Sequence, residues 1–216
     1  KKGFHSICNF LNVVGVVDGT HIQIRAPSND EYHYVCRKGH HSLNVQLTCD
    51  HKLIRNVVVK LPGATHDPFI WANCGAKAIG EEGGFQGGWL LGDSGYPLLP
   101  YLLTPVTTPT PRAEGKYNTD HCKARQVIER CRGRLKMHFR ALYKSGGALQ
   151  YYPEKCAKIV IAVCVLHNIA QQSTTPFEVA EDHPEDNDYP AATEQEPQNT
   201  AGRQVLSRLI EEHYTL

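Results

Sequence analysis

The chain has 216 residues, 41% of them hydrophobic and 21% charged, with a formal net charge of +1. That is ordinary for a globular protein and enough for one sizeable domain, with or without a tail. It excludes a membrane span: no stretch approaches the ~20 apolar residues required, and the longest apolar run, 159–166, is far shorter. Lys1-Lys2 leads into a mixed segment rather than the apolar core of a signal peptide. The first residue is not Met, so the sequence reads as starting inside a longer protein.

The small net charge conceals an asymmetry. Residues 173–216 hold 10 acidic and 2 basic side chains, whereas 1–172 hold 12 acidic and 21 basic ones. A basic body with an acidic tail points to a polyanionic partner for the body, with solubility as the plainer alternative. None of the eight cysteines forms a CxxC pair. In a chain of this length they read as reduced thiols rather than as a disulfide framework or a zinc site.

In chain order, Phe4 to Phe10 reads as the end of a helix. Val13 to Ile24 is β-rich around Asp18. Tyr32 to Cys36 and Leu43 to Cys49 read as a hairpin joined by Arg37-Lys38-Gly39-His40-His41. Leu53 to Leu61 is a further strand, stopped by Pro62-Gly63. Asp67 as N-cap and Pro68 at the first helical position open a helix that ends near Gly80. Trp89 to Gly92 is a short strand running into Asp93, and Tyr96 to Pro111 is an irregular loop rich in Pro and Thr. Thr119 to Leu142 is a long helix: Ala124, Ile128, Cys131, Leu135, Phe139 and Leu142 recur at spacings of three and four. Pro153 to Gln171 is a second, more apolar helix. Residues 173–202 have the composition of a disordered segment, and Val205 to His213 forms a short final helix. The pattern is α/β, with a mixed sheet flanked by helices, and periodicity alone does not select among such folds.

Three carboxylates draw attention. Asp18 lies inside Val-Val-Gly-Val-Val-Asp-Gly-Thr-His-Ile, where an ionised group is costly to bury unless something holds it. Mg²⁺ or Mn²⁺ would do so, since hard cations take carboxylate oxygens. Asp93 follows an apolar strand, at the kind of strand end where ligands gather in open α/β sheets. Glu129 stands on the long helix, next to Ile128. Together such groups hold two metal ions for phosphodiester chemistry, with Asp18 bridging both and Asp93 and Glu129 each completing one shell. Each has a plainer reading. Asp18-Gly19 suits a hairpin turn, Asp93-Ser94-Gly95 a turn, and Glu129 a surface partner for Arg125 or Arg132.

A series of blocks decides between these readings. They are 14–22 (VGVVDGTHI), 37–44 (RKGHHSLN), 62–67 (PGATHD), 91–97 (LGDSGYP), 103–105 (LTP), 117–118 (YN), 128–130 (IER) with 133–136 (GRLK), 147–151 (GALQY) and 165–168 (VLHN). In this order they resemble the DDE domain of PIF/Harbinger-type transposases and the nucleases derived from them, over about residues 4–170. The resemblance implies an RNase H-like fold, a divalent metal cofactor and phosphodiester chemistry on DNA. It places the acidic triad at Asp18, Asp93 and Glu129. The 36 positions between Asp93 and Glu129 suit that assignment. It also implies a separate Myb-like DNA-binding partner protein. Arg132 departs from the family, which commonly carries an aromatic residue there. The upstream helix-turn-helix-like region that accompanies the family is outside this sequence.

Lys123, Arg125, Arg130, Arg132, Arg134, Lys136 and Arg140 form a basic stretch around Glu129. Contacts from such residues to phosphates give salt-sensitive affinity with little sequence readout, and a solvated helix face is the alternative. Arg37 and Lys38 are further DNA-binding candidates. His66 and Asp67 are candidates for support behind a metal site. His167 reads as a core histidine, and His21 as facing away from Asp18. The expected domain is 1–172, a DDE endonuclease core followed by an acidic tail over 173–216. The expected activity is metal-dependent DNA hydrolysis, with the nucleus as the main location and the cytoplasm as a second. The rivals are a catalytically inactive DNA-binding or nuclear adaptor protein and an RNA-directed enzyme of the same fold.

Overall fold

The structure, a computed structural model, describes residues 2–8, 10–109, 112–173 and 199–215. Five strands form one sheet: β1 (Val13–Gln23), β2 (Ser42–Cys49), β3 (Ile54–Pro62), β4 (Trp89–Leu91) and β5 (Leu102–Leu103). Their order is β3-β2-β1-β4-β5. β2 runs antiparallel to both β1 and β3, and β4 and β5 run parallel to β1. This is the mixed RNase H-like sheet that the resemblance implied.

Helices cover both faces. On one side lie α1 (Lys2–Cys8), α5 (Arg112–His138), α6 (Pro153–Gln172) and α7 (Thr200–Tyr214). On the other lie α3 (Asp67–Ala72) and α4 (Gly75–Glu81), while α2 (Glu31–Tyr34) sits outside the sheet. Strand alternation explains the split: Val16 and Ile22 of β1 pack into the large core, and Val17 packs with Trp71, Leu90 and Tyr96 in the second. β2 is buried along its whole length. Leu43, Val45 and Leu47 belong to the main core, whereas Ser42, Asn44, Gln46 and Thr48 are buried polar residues on the alternate positions.

α5 spans about 40 Å at 1.5 Å per residue. Tyr117, His121, Ala124, Ile128 and Leu135 form its buried stripe. α6 buries Cys156, Val160, Val163, Cys164 and His167, yet Ile161, Val165, Leu166 and Ile169 are roughly half exposed, so only one face of this apolar helix enters the core. Asn168 closes the edge strand: its amide accepts from the Ile54 N–H at 2.9 Å and donates to the Ile54 carbonyl at 2.8 Å.

Several expected elements are revised. The segment read as a strand over Tyr32–Cys36 is the short helix α2, and Val35 makes only an isolated bridge to His41. Both edges of β2 are already taken by β1 and β3, so no strand is free to pair with it. The helix expected from Asp67 to Gly80 is two helices, because Cys74 caps a new one with its Sγ accepting from Lys77 N–H. His66, not Asp67, is the N-cap of α3. The loop after Tyr96 contains β5. The disordered stretch expected over 173–202 falls mainly on residues outside those described.

α7 packs into the body: Leu206, Leu209, Ile210 and Tyr214 join the main core, and Tyr214 meets Phe10 and Tyr117 edge to face. Leu209→Ala should therefore cost roughly 2–5 kcal/mol in a denaturant unfolding titration. A change within a few tenths of a kcal/mol would mean that α7 is not part of the cooperative unit.

Candidate active site

The sheet register brings two carboxylates level. Val16 of β1 pairs with Leu91 of β4 in parallel, so Asp18 and Asp93 each stand two residues further along neighbouring strands. Both are about 5% exposed. Asp18 Oδ1 accepts from the Gly19 N–H at 2.9 Å, and Asp93 Oδ1 accepts from the Gly95 N–H at 2.9 Å. The turn expected at Asp93-Ser94-Gly95 is thus present, and it leaves Asp93 Oδ2 facing the site.

The charge of these carboxylates is answered from α5. Arg125 Nη2 lies 3.3 Å from Asp18 Oδ2 and 3.8 Å from Asp93 Oδ2. Arg132 Nη1 lies 3.2 Å from the same Asp18 Oδ2 and donates to the Gly19 carbonyl at 2.7 Å. The two arginines are seven residues apart, about two helical turns, and so share one stripe of the helix. Glu129 lies between them in sequence but is exposed, and it interacts electrostatically with Arg125. Asp18 and Asp93 converge as expected; Glu129 does not line the cavity beside them.

That cavity has a volume of about 330 Å³. Asp18, Asp93, Asp67, Asn44, His66, Arg37 and Lys38 are among its walls. Asp67 approaches from the α3 side, over Gly19, where a Cβ would come within 2.9 Å of Asp67 Oδ1. Glycine is what permits this approach. Asn44 Nδ2 donates to the Thr65 carbonyl at 2.9 Å and to Asp67 Oδ1 at 3.3 Å. Asp67 is therefore tied into the site rather than capping α3. His21 lines the same cavity and bonds Ser42 Oγ at 3.0 Å. Beneath them, buried Tyr96 donates to Gln46 Oε1 at 3.2 Å.

Crowding shifts the acids. Burial, reinforced by the Asp18 carboxylate and opposed by Arg125, pushes Asp93 up to about 6. Burial also raises Asp67, against the Asn44 hydrogen bond, with Asp18 adding to the rise. Among the described residues, no three His, Cys, Asp or Glu side chains are gathered closely enough to hold a metal ion. The donor chemistry nonetheless suits a hard divalent cation. Asp18, Asp93 and Asp67 offer carboxylate oxygens, and Asn44 Oδ1 is buried with no hydrogen-bond partner.

The basic stretch of α5 is divided among faces. Arg125 and Arg132 turn to the carboxylates. Arg130 and Arg134 line a separate cavity of about 220 Å³ with Cys131 and His167. Lys123 pairs with Asp120 at 3.2 Å, Lys136 is buried and Arg140 is exposed. His167 is buried, with Nε2 3.9 Å from Cys131 Sγ and its ring beside His138. All eight cysteines are free thiols, Cys49 and Cys131 having their sulfurs 3.4 Å apart. Sequence reasoning missed Asn44, Gln46 and Tyr96 as parts of the site. It also took Arg125 and Arg132 for phosphate contacts. The alternating polar residues of β2 gave no separate signal, because that pattern ordinarily marks a solvated strand face.

The fold and this site define a member of the DDE superfamily endonuclease family, to which the chain belongs over residues 17–168. It is 41% identical over 171 residues to the Mus musculus protein named "Putative nuclease HARBI1" and 40% identical over 171 residues to the Homo sapiens protein of that name. Each match covers 79% of this chain and 49% of the relative. "Protein ALP1-like" of Arabidopsis thaliana is 27% identical over 188 residues, or 78% of this chain and 45% of that relative. The chain thus spans about half the length of the curated relatives it matches. No solved structure shows a significant match.

Arg125→Leu, measured with a chelator present, should cost about 3–5 kcal/mol in unfolding free energy, because it leaves buried Asp93 without its counter-ion and weakens the pairing of Asp18. Adding Asp93→Asn should return part of that loss. A fully additive double variant would show that Arg125 and Asp93 are not coupled.

His121 supplies a pH signature. Burial, with Arg125 adding, lowers it to about 4, and its Nε2 lies 3.4 Å from the Leu103 carbonyl. Its neutral form is therefore favoured by the fold. The stabilisation is complete above about 6.5 and is lost as pH falls toward about 4, by up to ~3 kcal/mol. Asp93 acts oppositely, gaining its proton earlier in the folded state, so the parent is compared with His121→Gln, in which Asp93 is unchanged. The variant should show a shallower acid loss over this window; equal slopes would refute the role given to His121.

Proposed function

We propose that the chain is a metal-dependent nuclease domain that hydrolyses DNA phosphodiester bonds. The observation that carries this reading is the levelling of Asp18 and Asp93, two buried carboxylates around one guanidinium on adjacent parallel strands, Asp93 just past the end of its strand, in a chain of the DDE endonuclease family. Asp18 and Asp93, with Glu129 from α5, are the residues that would hold Mg²⁺ or Mn²⁺ in a two-metal arrangement. Ions bound there would supply an activated water and neutralise charge on the leaving oxygen. Asp67, held by Asn44, packs over Gly19 and supports the middle of β1 beside Asp18. Arg37 and Lys38, on the cavity wall, bind the DNA backbone through charge, and Arg130 and Arg134 of α5, with Arg140 just beyond it, extend that contact. Action in the nucleus and a separate Myb-like DNA-binding partner belong to the same proposal.

A second reading has its own support. Two guanidiniums already neutralise Asp18, and Glu129 is exposed and does not line the cavity. That suits a DNA-binding or nuclear adaptor protein that keeps the fold without cutting. A plasmid nicking assay with Mg²⁺ or Mn²⁺ separates the two. The purified chain should convert supercoiled to open-circle DNA, and Asp18→Asn, Asp93→Asn and Glu129→Gln should each slow this by about a hundredfold or more. Retarded plasmid mobility without nicking by the parent would favour the adaptor. Cleavage by Glu129→Gln at the parent rate would remove Glu129 from the catalytic set.

A further inference from the structure

We infer that Arg132 is a tethered counter-cation that competes with a divalent metal ion for Asp18, and so sets the threshold at which this site takes up metal. The inference rests on the proposed metal-dependent reading of the site. Its ground is the geometry of one oxygen. Asp18 Oδ2 is within ion-pair reach of both Arg125 and Arg132, while Asp18 Oδ1 already accepts from the Gly19 N–H. No part of that carboxylate is free of a donor. Arg132 is also held independently of Asp18, because its Nη1 donates to the Gly19 carbonyl at 2.7 Å. The chain therefore keeps it beside the carboxylate at high effective concentration, much as a linker raises the local concentration of a tethered ligand.

Charge and burial say why this matters. Asp18 and Asp93 bring two negative charges, and Arg125 and Arg132 bring two positive ones, so the paired set is neutral. A neutral cluster attracts a cation weakly. Without Arg132 the set becomes negative, with the Asp67 carboxylate beside it in the same cavity. The Arg132 side chain is only 15% exposed, so solvent screens its competition little. Arg125 does not play the same part. It spans Asp18 and Asp93 and keeps them together, whereas Arg132 pairs with Asp18 alone of these two. Removing Arg132 thus frees a ligand without separating the pair.

The test is Mn²⁺ binding by the purified chain, followed by calorimetry and by loss of the free-ion Mn²⁺ resonance signal, with neither readout depending on activity. Arg132→Leu should bind Mn²⁺ about tenfold tighter or more, and Arg132→Lys, which keeps the charge, should stay near the parent. Adding Asp18→Asn to Arg132→Leu should abolish the gain. Thermal melting without metal reports folding. Should Arg132→Leu fail to fold, Arg132→Gln, a neutral polar replacement, carries the same expectation. Binding by the parent that neither neutral variant tightens overturns the inference and leaves the nuclease reading standing. Absence of Mn²⁺ binding in the parent and in both neutral variants overturns both. Binding that appears only when the charge at position 132 is removed supports the inference.

Discussion

Burying an ionised carboxylate in the central strand of a sheet costs several kcal/mol unless charge and hydrogen bonds compensate it. Asp18 imposes that requirement on this fold, and much of the surrounding structure answers it. Gly19 supplies a backbone N–H, and Arg125 and Arg132 supply two cations. Because both arginines lie on one stripe of α5, the requirement also fixes the rotation of that helix. The adjoining stripe of Tyr117, His121, Ala124, Ile128 and Leu135 then faces the core. Apolar packing and ion pairing on α5 thus specify the same orientation, the kind of agreement between levels that gives a single native arrangement.

The second constraint comes from the other face of β1. Alternation turns Gly19 toward the α3 side, where its missing side chain lets Asp67 come close. Asn44 then joins Asp67 to the Thr65 carbonyl, so the 62–67 segment is anchored to the sheet through its polar groups. This placement brings a third carboxylate near two others and raises Asp67 and Asp93. Such clustering of like charge is a recognised mark of functional sites, since a stability-driven sequence would avoid it. The strain is local, and the apolar cores on both faces of the sheet hold it in place.

What could be read from the chain alone follows from this physics. Asp18 and Asp93 were legible because each interrupts a strongly apolar strand, and the ordered blocks joined them into one site. Glu129 was assigned through that resemblance. The structure leaves it exposed, near Arg125, much as its local reading as a surface partner allowed. Asn44, Gln46 and Thr48 were hidden by their own pattern, since polar residues at every second position of a strand ordinarily mark a solvated face. Here that face is buried. α2 was misread because aromatic and β-branched residues favour strands locally, while pairing partners are decided by the whole sheet. β5 was missed because two residues are too few for any period. Asn118 and Asn168 sit in recognised blocks. Their amides bond backbone at Val106 and Ile54, tasks that no sequence pattern separates from chemistry.

The basic character of α5 shows why charge counting alone overreads a helix. Seven cations over eighteen residues suggest one continuous DNA-facing stripe. A helix distributes consecutive residues around its axis at 100° steps, so they divide. Two point inward to carboxylates, two border the Cys131 and His167 cavity, and one is buried. The cations nearest the acidic site therefore serve first as its counter-ions. Any phosphate entering the cavity meets Arg37 and Lys38 on its wall, while Arg125 and Arg132 reach Asp18 from the α5 side. An anion and a carboxylate compete for the same donors. Under the proposed nuclease reading, the pairing of Asp18 with Arg132 and Arg125 therefore bears on both phosphate and cation affinity at this site.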